Sequence, residues 1–368
     1  MGDSRQRLAA IDWMRGWVMV LMTVDHASMM FNAGRVANDS VAAHPPGAVL
    51  PTDQFLLRWV THLCAPTFVF LAGTGLALSA ARREAGAAPQ RAFDRDMAIR
   101  GLIIMAYDLL LFSNLAPFRL FQVMYAIGLG MLCMIPLRRL SDRWLLGLAL
   151  GWFAVGEALT SLVWRGSPTS PLIWALTLSR HVDDEVHAIY PLVPWLSMMM
   201  VGWVFGRHLV RRQQRAAGPP LGLLLASGSA ALVLFVALRA LGGYGNMWLQ
   251  PESDTWVQWL HVSKYPPSLS FTALELGLMA LGLALFMWVE PKVGVRRNGP
   301  LLVFGQTALF FYYLHMPTLG AARAASGLRG GIPLALGVAG IWLLWLYPVC
   351  WVYRRYKQGH PESWVRYL

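Results

Sequence analysis

The apolar residues of this chain come in ten long blocks, separated by short polar segments. Each block has roughly 20 residues, the length that an α-helix needs to cross about 30 Å of hydrocarbon. The amphipathic stripes typical of helices in soluble domains are largely absent. We therefore predict an all-α, polytopic membrane bundle of about ten transmembrane helices. The blocks cover residues 13–31, 59–81, 98–116, 120–137, 144–164, 189–209, 221–241, 269–289, 301–321 and 332–353.

The composition agrees with a membrane protein. Hydrophobic residues make up 56% of the 368 residues and charged residues 14%, with a mean hydropathy of +0.47, whereas soluble domains carry about 25% charged residues. The three cysteines all fall in predicted spans, so neither a disulfide framework nor a cysteine metal site is expected. Arg15, Asp25 and His26 interrupt the first block, which argues against a cleaved signal peptide. We expect one transmembrane domain over residues 1–368 and no metal.

The basic residues orient the predicted bundle. If the N-terminus is cytoplasmic, 21 Lys and Arg residues fall in cytoplasmic segments and 8 in segments on the other side. Because cytoplasmic loops carry an excess of Lys and Arg, this split predicts an even number of spans with both termini in the cytoplasm. The net charge of +12 is then a consequence of topology, and no nucleic-acid partner is expected.

The first block carries the sharpest chemical signal. Asp12, Arg15 and His26 lie on one helical stripe, with Arg15 and His26 roughly 16 Å apart along the axis. An arginine steadied by an aspartate suits a phosphate, and an imidazole suits proton transfer near neutral pH. The spacing is similar to the length of the pantetheine arm of coenzyme A. The alternative interpretation is an interfacial Asp12–Arg15 ion pair with a structural histidine. Asp25 should point away from His26, because adjacent helical residues do not share a face.

Other polar residues of the predicted spans and loops have less specific interpretations. Residues 264–268 (KYPPS) place Lys264 beside a proline-locked helix start, whose free amides could bind an anion or polarise a carbonyl oxygen. Several of the ionisable residues deeper in the chain are expected to pair with one another and hold the bundle together. They are Asp108, Glu157, Arg239 and Glu275. Two loops predicted to face outward hold acids and tryptophans suited to a carbohydrate, although interfacial tryptophans are common as anchors. These residues are Asp183, Asp184, Glu185, Trp248, Trp256 and Trp259.

Short motifs along most of the chain resemble two related families of membrane acyltransferases. Asp12-x-x-Arg15-Gly16 followed ten residues later by His26 resembles the first helix of the acyltransferase-three family of sugar O-acetylases. The other motifs resemble bacterial relatives of heparan-α-glucosaminide N-acetyltransferase. They are residues 65–73 (APTFVFLAG), 190–195 (YPLVPW) with Gly202, Gly206 and Arg207, 264–269 (KYPPSL) and 310–315 (FFYYLH).

The resemblance implies an enzyme that moves an acetyl group from cytoplasmic acetyl-CoA to an acceptor, usually a sugar, across the membrane. It favours His26 as the catalytic base and Arg15 with Asp12 at the coenzyme. In the heparan-type branch, however, an asparagine stands in place of His26 and the candidate histidine lies in the following loop, where this chain has only His44. His44 therefore stays in reserve. His62 stands where those relatives carry an acidic residue, so it could orient His26 or share a proton with it.

We accordingly predict an acetyl-CoA-dependent membrane acyltransferase acting on a saccharide or glycoconjugate, in a bacterial inner membrane. Besides His26 and His62 as catalytic residues, Lys264, Tyr265 and His315 are the candidates for contacting the acceptor or stabilising the reacting carbonyl. The oligomeric state stays open, and a homodimer is compatible with the sequence. A secondary transporter of a small polar or anionic solute is the main alternative, and a structural subunit that uses neither Arg15 nor His26 is another.

Overall fold

A computed structural model describes residues 9–86, 89–112, 118–360 and 362–367. Arg5 and Arg7, which entered the charge count, lie outside the described residues, as do residues 113–116 of the third predicted block. Helices dominate the described chain. They are α1 (Ala9–Phe31), α2 (Thr52–Val60), α3 (Cys64–Ala85), α4 (Gln90–Ala106), α5 (Val123–Leu137), α6 (Asp142–Ser161), α7 (Leu172–Thr177), α8 (Leu192–Gln214), α9 (Leu221–Leu241), α10 (Trp256–Leu260), α11 (Leu269–Val293), α12 (Pro300–Gln306), α13 (Ala308–Ser326) and α14 (Ile332–Gly359).

The prediction of an all-α membrane protein is confirmed. Five helical segments of the described chain are long and apolar enough to cross a membrane, namely Thr52–Ala85, Asp142–Ser161, Leu221–Leu241, Leu269–Val293 and Ile332–Gly359. Helices also cover most of the described residues of the other five predicted blocks. The total of ten spans and the cytoplasmic termini remain predictions.

Two predicted blocks differ in detail from the structure. A turn of 3₁₀-helix at Thr61–Leu63 joins α2 to α3, so the second block becomes a longer helical segment. The ninth block is divided at Thr307. Backbone contacts pair Gly16 with Leu301 and Asp12 with Gly305, so α12 runs antiparallel to α1. By contrast, α13 runs parallel to α1, because His26 meets His315 and Met30 meets Arg323.

Glycines bring α1 and α12 into direct backbone contact. A Cβ atom at Gly16 would overlap the backbone of Leu301, and one at Gly305 would overlap the backbone of Asp12. Small residues at such crossings let membrane helices approach closely, where packing and not a hydrophobic driving force holds them together. The turn between α12 and α13 is thereby fixed beside the Asp12 and Arg15 stripe of α1.

The two ends of the bundle are built differently. We call the end with Phe31 the upper end and the end with Ala9 the lower end; the charge count predicts that the lower end is cytoplasmic. The upper end carries a small sheet in which β1 (Arg119–Phe121) pairs parallel to β3 (Val186–Ala188), and β2 (His181–Val182) pairs antiparallel to β3. Ser268 caps α11 by accepting a hydrogen bond from the Phe271 amide at 3.0 Å.

The centre of the bundle is closely packed, and its outer helices present apolar surface. Among the largest fully buried side chains are Trp195, Trp203, Phe271 and Phe311. In contrast, only 17–22% of the apolar windows of α6, α9 and α14 is buried. An apolar outer surface around a packed polar and aromatic interior is the arrangement that a lipid bilayer requires.

Candidate functional site

Two histidines meet near the middle of the bundle. His26 Nδ1 of α1 lies 2.7 Å from His315 Nε2 of α13, and the two rings stack with their centroids 5.0 Å apart. The other ring nitrogen of His315, Nδ1, lies 3.1 Å from the Phe311 carbonyl and 3.0 Å from that of Tyr312. Carbonyls only accept hydrogen bonds, so His315 Nδ1 carries a hydrogen.

The hydrogen bonds of His315 then set the tautomer of His26. With both rings neutral, His315 Nε2 is an acceptor, so the hydrogen of the shared bond belongs to His26 Nδ1. His26 Nε2 is left with its lone pair. Since the His26 side chain is only half-buried, the pair presents one basic nitrogen that can accept a proton.

This geometry changes the expectation for His315. Both of its ring nitrogens are engaged, one by His26 and one by backbone carbonyls. Neither is free to donate to a reacting carbonyl oxygen, so the predicted carbonyl-stabilising role does not fit the structure. His315 instead fixes the orientation and tautomer of His26.

A network of buried charges, the upper ion-pair cluster, lies above the histidines. It contains Asp25, Arg35, Asp39, Arg58 and Thr61. Arg58 contacts both carboxylates, donating to Asp25 at 2.9 Å and to Asp39. Arg35 and Thr61 donate to Asp25 at 2.8 and 2.9 Å. Asp25 therefore faces the cluster and not the ring of His26, which confirms the sequence expectation.

His62 lies beside this cluster and contacts one of its carboxylates. Its Nε2 lies 3.1 Å from Asp39 Oδ1, and its ring packs edge-on against Phe271. The expectation that His62 orients His26 is therefore wrong, because His26 is held by His315. Burial of the Asp39 carboxyl would raise its pKa, but the charges of Arg58 and His62 hold that pKa well below its usual range.

Lys264 and Tyr265 also lie at the cluster. The backbone amides of both donate to the Asp39 carbonyl, at 2.9 and 3.2 Å. At the helix start that follows, the Ser270 amide donates to the Gly245 carbonyl at 2.8 Å and the Phe271 amide to the Ser268 hydroxyl, which contradicts the prediction that these amides are free for an anion. The Tyr265 hydroxyl lies 3.5 Å from Arg58 and 3.3 Å from the hydroxyl of Tyr190. Burial would raise the pKa of Tyr265, but the positive charges of Lys264 and Arg58 lower it.

His44, the reserve candidate, is buried elsewhere in the upper end. Its Nε2 lies 3.7 Å from Glu252, its Nδ1 is 3.4 Å from the Asn38 amide, and its ring packs against His261. These contacts tie the loop after α1 to the segment before α10. They do not bring His44 to His26.

A cavity of about 410 Å³ opens at the lower end and runs into the bundle. Along α3 it extends from Arg83 to Phe68, which is roughly 22 Å at 1.5 Å per residue. Basic side chains dominate the charged part of its lining: Arg15, Arg82, Arg83, Arg100 and Lys357, with Asp96 as the acidic member. Farther up, the walls become apolar, with Phe68, Leu71, Ile104, Val123, Met124, Ile127 and Met131.

The predicted Asp12–Arg15 pair is present in the lower half of α1. Arg15 donates to Asp12 at 3.2 Å and to the Leu71 carbonyl at 2.9 Å, and Gln306 donates to Asp12 at 3.2 Å. Arg15 lines the cavity, but part of its hydrogen-bonding capacity is used by these neighbours.

Arg100 is a cavity residue that sequence reasoning overlooked. It has no functional role among the sequence predictions, yet its guanidinium makes no hydrogen bond or ion pair within the described residues, and its Nε is buried. Ala308 and Leu309 also line the cavity, and they are the first residues of α13, where backbone amides lack a helical partner. Both features place unsatisfied positive potential inside the cavity.

The upper limit of the cavity reaches the histidine pair through Tyr312. This residue lines the cavity, and its ring centroid lies 6.3 Å from that of His26 and 5.4 Å from that of His315. The basic lower end and the apolar middle of the cavity thus lead to Tyr312, whose ring packs against the histidine pair.

The buried charges outside these regions are satisfied mainly by backbone groups. Asp108 accepts from the Tyr125 amide at 2.8 Å, and Glu157 accepts from the Met247 amide at 3.0 Å. Arg239 donates to several carbonyls, among them that of Gln258 at 2.6 Å. One carboxylate oxygen of Glu275 is buried without a hydrogen bond. Among the described residues these four do not pair with one another, so the predicted mutual pairing is wrong.

Comparison with known families decides the class of protein. The catalytic domain model of heparan-alpha-glucosaminide N-acetyltransferase matches residues 7–238, more than half of the chain. The chain belongs to this family. No curated protein matches the chain significantly. Membership makes it a membrane acetyltransferase of the sugar-modifying type. The matched segment includes Arg15, His26 and Arg100, whereas Tyr312 and His315 lie beyond it.

Proposed function

We propose that this acetyltransferase takes acetyl-CoA into the cavity from the lower, cytoplasmic end and transfers the acetyl group to a saccharide hydroxyl or amine that reaches His26 from the upper side. The observation that carries the proposal is the cavity itself. It is basic at its mouth, apolar along its length, and ends at Tyr312 beside the histidine pair.

The residues that line the cavity match the chemical groups of acetyl-CoA, the proposed acetyl donor. Coenzyme A carries a diphosphate and a further phosphate at one end and a thioester at the other, joined by a slender, largely uncharged arm. Arg82, Arg83 and Lys357 lie where the phosphates would enter, and Arg100 is a cation without a partner in the part of the chain that the structure describes. Arginine recognises phosphate well because its donors form a fixed fork. The apolar walls farther in suit the arm and the acetyl group.

The histidine pair supplies the proton transfer. His26 Nε2 removes the proton from the acceptor hydroxyl or amine as its oxygen or nitrogen attacks the thioester carbon. When the carbon–sulfur bond breaks, the same proton passes to the coenzyme thiolate, so CoA leaves as the neutral thiol. His315 contributes indirectly: it holds His26 in the tautomer whose Nε2 is basic.

The sidedness rests on the charge distribution. The cavity mouth lies at the end where the basic segments concentrate, and this end is cytoplasmic by the positive-inside rule. In a bacterial cell the membrane would be the inner membrane. The upper end, with its acidic and tryptophan-bearing loops, then faces the saccharide.

The decisive experiment uses the purified full-length protein in detergent or nanodiscs. Titration calorimetry should show CoA binding, and radiolabelled acetyl-CoA should yield labelled saccharide when mixed hexosamine-containing glycans are supplied. A protein that neither binds CoA nor consumes acetyl-CoA, but moves a solute across liposomes, would be a carrier instead.

Topology is tested separately in intact cells. In a cysteine-free background, a cysteine at Ser253 should react with an impermeant maleimide, and one at Gly359 should be protected. The reverse pattern would place the cavity mouth outside and contradict the proposed donor side.

A further inference from the structure

The hydroxyl of Tyr312 differs from those of the neighbouring tyrosines. The Tyr312 side chain is 3% exposed, yet its hydroxyl makes no hydrogen bond within the described residues. By contrast, the hydroxyl of Tyr107 donates to the Tyr313 carbonyl at 3.0 Å, and that of Tyr313 donates to the Ile103 carbonyl at 3.4 Å. Because a buried phenol usually finds a partner, an unpaired one that lines a cavity is expected to serve a ligand.

The position of Tyr312 indicates which part of acetyl-CoA its hydroxyl would contact. Its ring packs edge-on against both His26 and His315, and Tyr312 lines the cavity, so this residue stands between the cavity and the histidine pair. If acetyl-CoA enters with its phosphates at the lower end, the thioester is the group that reaches this point. A carbonyl oxygen there needs a hydrogen-bond donor, and a neutral phenol, with an ordinary pKa of about 10, donates throughout the physiological range.

We propose that Tyr312 is a catalytic residue that donates a hydrogen bond to the thioester carbonyl oxygen and stabilises the oxyanion formed during transfer. The inference rests on the proposed function and assigns a role that the sequence had given to other residues. His315 cannot fill it because both of its ring nitrogens are engaged. Lys264 and Tyr265 do not line the cavity and are tied by their amides to Asp39.

The step is balanced without another reactant. The acceptor oxygen or nitrogen forms a bond to the thioester carbon while His26 takes its proton, and the carbonyl electron pair moves to the oxygen that Tyr312 contacts. The tetrahedral intermediate then re-forms the carbonyl and expels the thiolate, which receives the proton from His26. Tyr312 keeps its own proton throughout, and its hydrogen bond is strongest when the oxygen carries the negative charge.

Replacing Tyr312 with Phe removes the hydroxyl and keeps the ring. Loss of one oxyanion donor lowers turnover by about 10²–10³-fold. We expect kcat for acetyl transfer to fall by that factor, with the KM for acetyl-CoA and the Kd for CoA within about twofold, because the interaction forms in the transition state. The matched control is Tyr313→Phe, which removes the neighbouring hydroxyl; Tyr313 does not line the cavity, so its kcat should stay near wild type.

Infrared spectroscopy measures the wavenumber of the thioester carbonyl band, which would not change if Tyr312 served only packing. In a His26→Ala background, which blocks turnover, the carbonyl band of bound [1-¹³C]acetyl-CoA should lie at lower wavenumber with Tyr312 present than in the Tyr312→Phe double variant. Equal band positions, or a Tyr312→Phe enzyme with unchanged kcat, would overturn the assignment while leaving acetyl transfer intact. A Tyr312→Phe protein that no longer binds CoA would also overturn it, since the hydroxyl would then serve ground-state binding or folding. A wild-type protein that neither binds CoA nor transfers acetyl would overturn the proposed function itself.

Discussion

The two polar regions of the bundle hold their charges in different ways. In the upper ion-pair cluster, Asp25 and Asp39 share Arg58, and Arg35 completes the set with a bond to Asp25. In the lower cavity, basic side chains outnumber Asp96, and Arg100 has no protein partner among the described residues. Charges that satisfy one another hold helices and loops in place, whereas unsatisfied charge facing a cavity is available to a ligand.

The position of the histidine pair follows from this contrast. His26 lies between the two regions, with Asp25 of the upper cluster as its chain neighbour and Tyr312 of the cavity against its ring. The bonds of the cluster hold the upper end of α1, and in the proposed function the cavity brings the donor substrate towards His26. We therefore expect changes in the cluster to act on stability, changes in the cavity to act on affinity, and changes at the pair to act on turnover.

The largest expected effect is the loss of turnover when His26, which lies between the two regions, is replaced. General-base catalysis contributes about 10²–10⁴-fold, so His26→Ala should lower kcat for acetyl transfer by that factor while the Kd for CoA stays unchanged. Steady-state kinetics and calorimetry on the same preparations separate the two quantities. Full activity in His26→Ala combined with loss in His44→Ala would move the base to the loop and refute the assignment.

Substitutions in the upper ion-pair cluster should lower the free energy of unfolding. Arg58→Met leaves two buried carboxylates without their shared cation, and breaking a buried pair in this way costs about 3–5 kcal/mol. Denaturant titration of the protein in mixed micelles, followed by tryptophan fluorescence, would measure the loss in free energy of unfolding. Arg211→Met is the matched control, because it breaks a half-exposed ion pair with Asp142, for which about 0.2–1 kcal/mol is expected. If both variants lost the same free energy of unfolding, the cluster would contribute no more to stability than an ordinary surface ion pair.

The smallest expected effect is the loss of CoA affinity when one cation of the cavity, Arg100, is replaced. Arg100→Gln should weaken CoA binding by about 1.5–3 kcal/mol, the range for a hydrogen bond to a charged group, which is roughly a 10- to 150-fold rise in Kd. Arg95→Gln, on the exposed face of the same helix, is the control and should change Kd little. Because Arg15 already serves Asp12 and the Leu71 carbonyl, Arg15→Gln should cost less than Arg100→Gln. An unchanged Kd in Arg100→Gln would remove the main reason for placing a phosphate there.

The membrane class and the element positions follow from the sequence, because the bilayer imposes a length and a polarity that local composition must satisfy. The ten apolar blocks therefore overlap helices wherever the structure describes them, apart from short stretches at their ends and the break at Thr307. The stripe on α1 was likewise readable, since the 3.6-residue period is a local property of the helix. It correctly predicted the Asp12–Arg15 pair and the separation of Asp25 from His26.

Only the tertiary structure decided which distant residues meet. His26 pairs with His315 across 289 positions and not with His62, and Asp39, which the sequence left unremarked, collects Arg58, His62 and the amides of Lys264 and Tyr265. The roles proposed for Arg100 and Tyr312 likewise depend on their having no hydrogen-bond partner among the described residues, and that is a property of the packed bundle. Helix periodicity fixes which side chains share one face, but the partner of that face depends on how the whole chain packs. The sequence therefore predicted the span that carries His26, and the fold determined how His26 is held and which cavity leads towards it.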